Sequence, residues 1–230
     1  MNFLSNHNFN VVGADTDSIL FCKQDQSPFS KEEQISLLKE INDMLPEHIN
    51  FEHDGIFSKV IYLRSKNYIL YDGKKIAIKG SSLKSSTLEP IMKEMLDSFI
   101  KDIIHNNGEN LLDLYLNNIK LVSHVEDIRP YSKKMTLSAT TYASKRKNET
   151  NLLDAIRGTE YVEGDRVHVY FKSDGTLKLA EHFDGDYDKD RLYYKFFTCA
   201  QRFATVMDMS SFLNFKLKRN KSKLLEISYV

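Results

Sequence analysis

Apolar and polar positions alternate in distinct ways along this chain, and each pattern predicts an element. In residues 10–21 two apolar runs flank a tight polar centre, Asp15-Thr16-Asp17-Ser18, which reads as a β-hairpin with acid groups at its turn. Ser30-Lys31-Glu32-Glu33 is a capping box. It opens a helix with Ile35, Leu38, Ile41 and Leu45 on one face, expected to pack against the sheet and to stop at Pro46. Residues 57–63 and 66–71 read as strands, and Asp72-Gly73 turns the chain into a returning strand over 74–79. Lys66 and Tyr68, two apart, are expected on one face of their strand.

The second half is more helical. Ile91, Met95, Phe99 and Ile103 recur every four residues, predicting a helix over 88–105 that ends at Asn106-Asn107-Gly108. A second helix over 109–116 should turn Leu112, Tyr115 and Leu116 inward, and from Lys120 the pattern loosens into strands and loops. Residues 167–171 and 177–180 form a hairpin around Ser173-Asp174-Gly175-Thr176. A last helix over 188–207 buries Leu192, Phe196, Ala200, Phe203 and Met207. The expected class is α+β: an antiparallel sheet with a packed helix, then a mainly helical part with β-hairpin insertions.

The chemistry concentrates at the first turn. With Thr16 extended, Asp15 and Asp17 point the same way, because strand side chains alternate. Two close carboxylates repel unless a cation compensates them, and hard oxygen donors of this kind suit Mg²⁺. Asp-Thr-Asp-Ser is equally a good composition for an Asx-turn with no chemistry.

Composition narrows the class. A chain of 230 residues with 41% hydrophobic and 11% aromatic side chains can bury a core. The 32 basic and 32 acidic residues cancel, but their distribution is uneven. Residues 128–148 hold six basic side chains and no acid, and 216–223 hold five more. Such clusters resemble a phosphate-contacting face, or equally a solvated one. Cys22 and Cys199 are too few for a disulfide framework, which predicts a reducing cytoplasm (a host's, if the protein is viral). No run approaches the roughly 18 apolar residues that span a bilayer, so no membrane partner is expected.

The acid turn resembles the Asp-Thr-Asp-Ser palm motif of family B DNA polymerases, in which Tyr-Gly usually precedes; here Gly13-Ala14 stands there. The resemblance implies catalytic roles for Asp17 and Asp15, with Asp17 the metal ligand and Asp15 the less critical neighbour. Thr16 and Ser18 would lie beside the incoming nucleotide. Lys66-Asn67-Tyr68 resembles the family's Lys-x-Tyr motif, whose lysine reaches minor-groove acceptors that every correct base pair presents. Residues 79–90 resemble the palm-to-thumb link of the T-even-phage branch. There Lys79, Gly80, Lys84 and Ser85 would meet primer-strand phosphates, which positions DNA without reading it. Arg129, Lys133 and Lys134 fall where the family's thumb grips duplex. The apolar end, residues 224–230, is similar in placement and character to a sliding-clamp docking peptide.

On this resemblance residues 1–84 are the C-terminal part of a palm and 85–230 a thumb with its tail. The first palm motif, the fingers and the exonuclease acids have no counterpart in the 230 residues. Two-metal phosphoryl transfer needs more carboxylates than Asp15 and Asp17 supply. The resemblance therefore implies one half of a split polymerase acting on primer-template DNA. An N-terminal polypeptide with exonuclease, fingers and first palm motif would complete the Mg²⁺ pair and cover an otherwise unpaired sheet edge. The alternative is a non-catalytic DNA-binding remnant.

Overall fold

In a computed structural model the chain divides into two compact units, Met1–Gly80 and Ser81–Val230. The structure describes residues 2–15, 17–80, 83, 88–143 and 146–206.

The first unit begins with a short helix, α1 (Asn2–Asn6), and a hairpin of β1 (Phe9–Ala14) and β2 (Ile19–Lys23). The strands pair antiparallel, Val11 opposite Phe21 and Ala14 opposite Ile19, with a register shift between Val11 and Gly13. Val12 is the extra residue, and such a bulge sharpens the local twist next to the acid turn. Phe9, Phe21 and Phe29 cluster with ring centroids 5.3–5.8 Å apart. Helix α2 (Lys31–Asp43) has the expected capping box: Ser30 Oγ accepts from the Glu33 N–H, and Glu33 accepts from the Ser30 N–H.

The packing expected of α2 is only partial, with Leu38, Ile41 and Leu45 half-buried. None of its residues is buried, and Ile35 is 70% exposed. Polar tethers hold the helix instead, Lys23 to Glu33 at 2.7 Å and His7 to Glu40 at 3.1 Å. A two-stranded ribbon is too narrow to cover a helix of thirteen residues.

Strands β3 (Lys59–Arg64), β4 (Asn67–Tyr71) and β5 (Ile76–Lys79) form an antiparallel meander with Ile61, Leu63, Ile69 and Leu70 buried. At its second turn Asp72 accepts from the Lys74 and Lys75 N–H groups, both at 2.7 Å. At its first turn the expectation for Lys66 fails. Lys66 is not on the strand with Tyr68: it occupies the turn in a left-handed conformation, φ 61°. Joining β3 to β4 in so few residues requires a positive φ, and Lys66 supplies it.

The second unit is built on α3 (Pro90–Asn106) and α4 (Leu111–Val122). Met92, Met95, Leu96, Phe99, Ile100 and Ile103 of α3 are buried, as its spacing predicts. Asn107 caps it at φ 52°. Asp102 organises the corner by accepting from Asn106 and from both the backbone and side chain of Asn110, at 2.8–3.0 Å. Helix α4 continues past residue 116 to Val122, and its buried positions are Leu111, Tyr115 and Val122 rather than Leu112 and Leu116. Tyr187 holds its end, donating to the Val122 carbonyl and accepting from the Val125 N–H.

Strands β6 (Lys133–Thr136), β7 (Arg166–Phe171) and β8 (Leu177–Leu179) form a second meander. Between β6 and β7 the chain is not loose, as expected, but helical: α5 (Ala139–Ala143) and α6 (Lys147–Ala155). Leu152 of α6 packs with Leu137, Val167, Val169 and Leu179 in one apolar cluster. Helix α7 (Lys189–Ala200) buries Leu192, Phe196 and Ala200. It gives way to a tight 3₁₀ turn at Gln201–Phe203, where Phe203 meets Phe99 edge-on at 5.6 Å. The helix expected to reach residue 207 thus ends at Ala200, and Met207 itself lies outside the described residues. The fold is α+β, with three small antiparallel sheets and packed helices among the described residues.

Candidate active site

The acid turn is closed by the Asp15 N–H donating to the Ser18 carbonyl at 2.8 Å. A shallow recess opens beside it, lined by Asp15 and Ser18 of the turn, Gly13, Ala14 and Leu20 of the hairpin, and Tyr62, Lys66 and Tyr68. Three local features build its walls. Gly13 lets the Tyr62 ring lie against the β1 backbone; a Cβ there would stand 3.1 Å from Tyr62 Cε2. Tyr62 is directly opposite Tyr68 across β3–β4, and their rings stack at 6.4 Å and 9°. Asn67, nearly buried, donates to the Ser65 carbonyl at 2.9 Å and so braces the turn that carries Lys66.

Gly80 completes that brace. Its φ is 93°, and a Cβ on it would collide with the Lys66 carbonyl and the Asn67 carboxamide. Only glycine can stand under this turn.

Lys66 Nζ lies 3.7 Å from Asp15 Oδ1. The two acids of the turn are thus unequal: Asp15 is half-buried beside a cation, whereas Asp17 is exposed to solvent. The Lys66 ammonium offsets the charge of Asp15, and Asp17 takes no part in that ion pair. Asp17 offers the hard oxygen donors that a magnesium ion takes. Among the described residues no three His, Cys, Asp or Glu side chains gather into a group that could hold a metal ion.

Of the residues singled out in the sequence, Asp15, Ser18, Lys66 and Tyr68 therefore meet around one recess. Lys79 is exposed and pairs with Tyr68 across β4–β5. Thr16, Lys84 and Ser85, the basic run 216–223 and the tail 224–230 lie outside the described residues. Arg129 is exposed at the start of a 3₁₀ turn, and β6 carries Lys133 half-buried and Lys134 exposed, on opposite faces of the strand. Tyr62 belongs to no motif in the sequence. Its only sequence signal is the register of the β3–β4 hairpin, which sets it opposite Tyr68.

A family model described as DNA polymerase family B matches residues 2–181. The chain belongs to DNA polymerase family B. The match takes in the whole recess, Gly80, and the basic stretch from Arg129 to Lys134. No curated protein matches the chain at a significant level. Membership implies DNA-directed nucleotidyl transfer on primer-template DNA, chemistry for which the family generally uses Mg²⁺. No helix among the described residues is long and apolar enough to cross a membrane.

Proposed function

We propose that this family B chain is the late-palm and thumb portion of a phage-type DNA polymerase, completed by carboxylates and fingers on another polypeptide. The observation that carries the proposal is the recess, where the acid turn, Lys66 and Tyr68 converge although some fifty residues separate them in sequence.

Each group then has a task. Asp17, exposed on the turn, would hold magnesium; when bound, that ion neutralises the charge of the triphosphate and favours ionisation of the primer hydroxyl. Asp15 holds the Lys66 ammonium in place. Lys66 donates to minor-groove acceptors at the primer terminus, and the Tyr62–Tyr68 pair forms the flat wall against which the terminal sugar rests. Thr16 and Ser18 border the nucleotide. The primer 3′-oxygen bonds to the α-phosphorus, the bond to the β-phosphate oxygen breaks, and pyrophosphate leaves. Lys79 and Gly80, with Lys84 and Ser85, would contact primer-strand phosphates. Arg129, Lys133 and Lys134 hold the duplex through salt-sensitive phosphate contacts. Residues 224–230 are the candidate clamp-docking peptide.

Mixing this chain with a same-source polypeptide that carries the first palm motif and fingers should yield primer extension that neither has alone. Asp17→Ala should remove that activity by a factor of about 10³ or more, since metal ligation is lost. No synthesis on mixing, or undiminished synthesis with Asp17→Ala, refutes the reading. One observation favours a second reading, a DNA-binding remnant: the described residues hold no third carboxylate at the turn. It requires salt-dependent duplex binding by this chain and no partner-dependent synthesis.

A further inference from the structure

The first unit lacks a core over most of its length. Among the described residues from 6 to 60, none is buried, although this span contains β1, β2 and α2. Large apolar side chains stand in water instead: Val11 and Ile19 on the hairpin, Ile35 and Met44 at α2, and Ile49 and Ile56 beyond it, each between 38% and 70% exposed. Isolated hairpins and single short helices are marginal in water, and their stability ordinarily comes from burying an apolar face. Here the faces exist, and the described residues cover them no more than halfway.

Charge limits what can. Residues 24–57 hold eight Asp and Glu against two Lys, and no Arg. That surface repels phosphate, so nucleic acid is excluded as its occupant. An apolar protein surface with a basic rim fits it. Position narrows the choice further. The open faces belong to the same hairpin whose turn carries Asp15 and Asp17, and that turn needs further carboxylates to hold a metal pair. Within the described residues β1 and β2 pair only with each other, leaving outer edges for an added strand.

We infer that residues 9–57 are a docking surface for the companion palm polypeptide, and that the apolar face of α2 and the open hairpin gain their core only on its arrival. The inference rests on the split-polymerase reading. It adds that one interface both folds this segment and delivers the missing carboxylates, so the half-chain is catalytically silent because its acid turn sits on an unfinished layer.

Hydrogen–deuterium exchange on the full chain tests it. Alone, amides of β1, β2 and α2 should exchange at least about 10²-fold faster than those of α3 and α7, which lie in a packed core. Adding the same-source polypeptide with the first palm motif and fingers should slow the first set and leave the second unchanged. Leu38→Glu with Ile41→Glu places two charges on the half-buried face and should weaken association at least tenfold. Ser36→Glu, on the opposite face, should not, and circular dichroism shows whether either variant retains its helix. Primer extension separates the two readings. If synthesis is restored on mixing while α2 amides stay fast, or while the double substitution leaves association intact, the docking surface is wrong and the split reading stands. If neither association nor synthesis appears, both fall. Slow exchange over 9–57 in the chain alone, with a dimer by sedimentation, assigns the surface to a second copy and overturns the inference.

Discussion

Replacing Gly80 with alanine should disturb the candidate site without touching any reacting group. Two costs follow from the geometry. At φ 93° an L-residue pays backbone strain of about 1–2 kcal/mol. The new Cβ also runs into the Lys66 carbonyl and the Asn67 carboxamide, and relieving such overlap inside a packed turn costs a further 1–3 kcal/mol or so. The sum is about 2–5 kcal/mol of lost stability in the β3–β5 meander. Gly73 is an internal control. Its φ is 94°, but a Cβ there meets no atom within 4 Å, so Gly73→Ala should cost only the strain. Urea denaturation of both variants, with amide exchange read over β3–β5, isolates the collision as the difference between them. The displaced turn also moves Lys66, and a shift of about 1 Å at a positioning group can cost roughly 10²-fold in rate, to be read by primer extension with the companion present. Equal stability losses for Gly80→Ala and Gly73→Ala, or an unchanged Lys66 environment, would refute the argument.

Other outcomes concern the second unit. Lys195 donates to Glu89, whose side chain is 4% exposed at the N-cap of α3. Lys195→Met leaves that carboxylate buried and unpaired and should cost about 3 kcal/mol, whereas Glu89→Gln with Lys195→Met should recover much of it; thermal denaturation of the two variants decides. Burial pushes the Tyr115 phenol up to about 12 from the ordinary 10.0. The raised folded value means its stabilising contribution is complete below pH 10 and is lost as pH rises through about 12. Ultraviolet titration should show one late tyrosine, absent in Tyr115→Phe, together with alkaline unfolding that this substitution moderates. Burial raises the Asp102 carboxyl, but the hydrogen bonds from Asn110 and Asn106 outweigh it and hold it below its ordinary value. Its contribution is therefore present above the unfolded value near 3.8 and is lost as pH falls below it, so Asp102→Asn should flatten the acid limb of the stability profile.

Local chemistry is what the sequence determined. The capping box before α2, the four-residue stripe of α3, the Asp72-Gly73 turn and the β7–β8 hairpin all depend on side chains a few residues apart, and each is where its pattern places it. The acid turn is of the same kind, since its hydrogen bond spans only Asp15 to Ser18. Tertiary structure decided everything that needed a distant partner. Alternation puts Lys66 on the strand because it assumes the strand continues; the short β3–β4 connection demands a positive φ, and the turn takes Lys66. Tyr62 entered the site through register, and Gly80 through a close approach to a turn met long before it in the chain. The stripe on α2 announces a burial that stops halfway, because periodicity tells which face of a helix is apolar but not how much surface exists to receive it. For α2 and the acid hairpin no such surface is present among the described residues, and the site proposed at Asp17 likewise calls for carboxylates that no local pattern supplies.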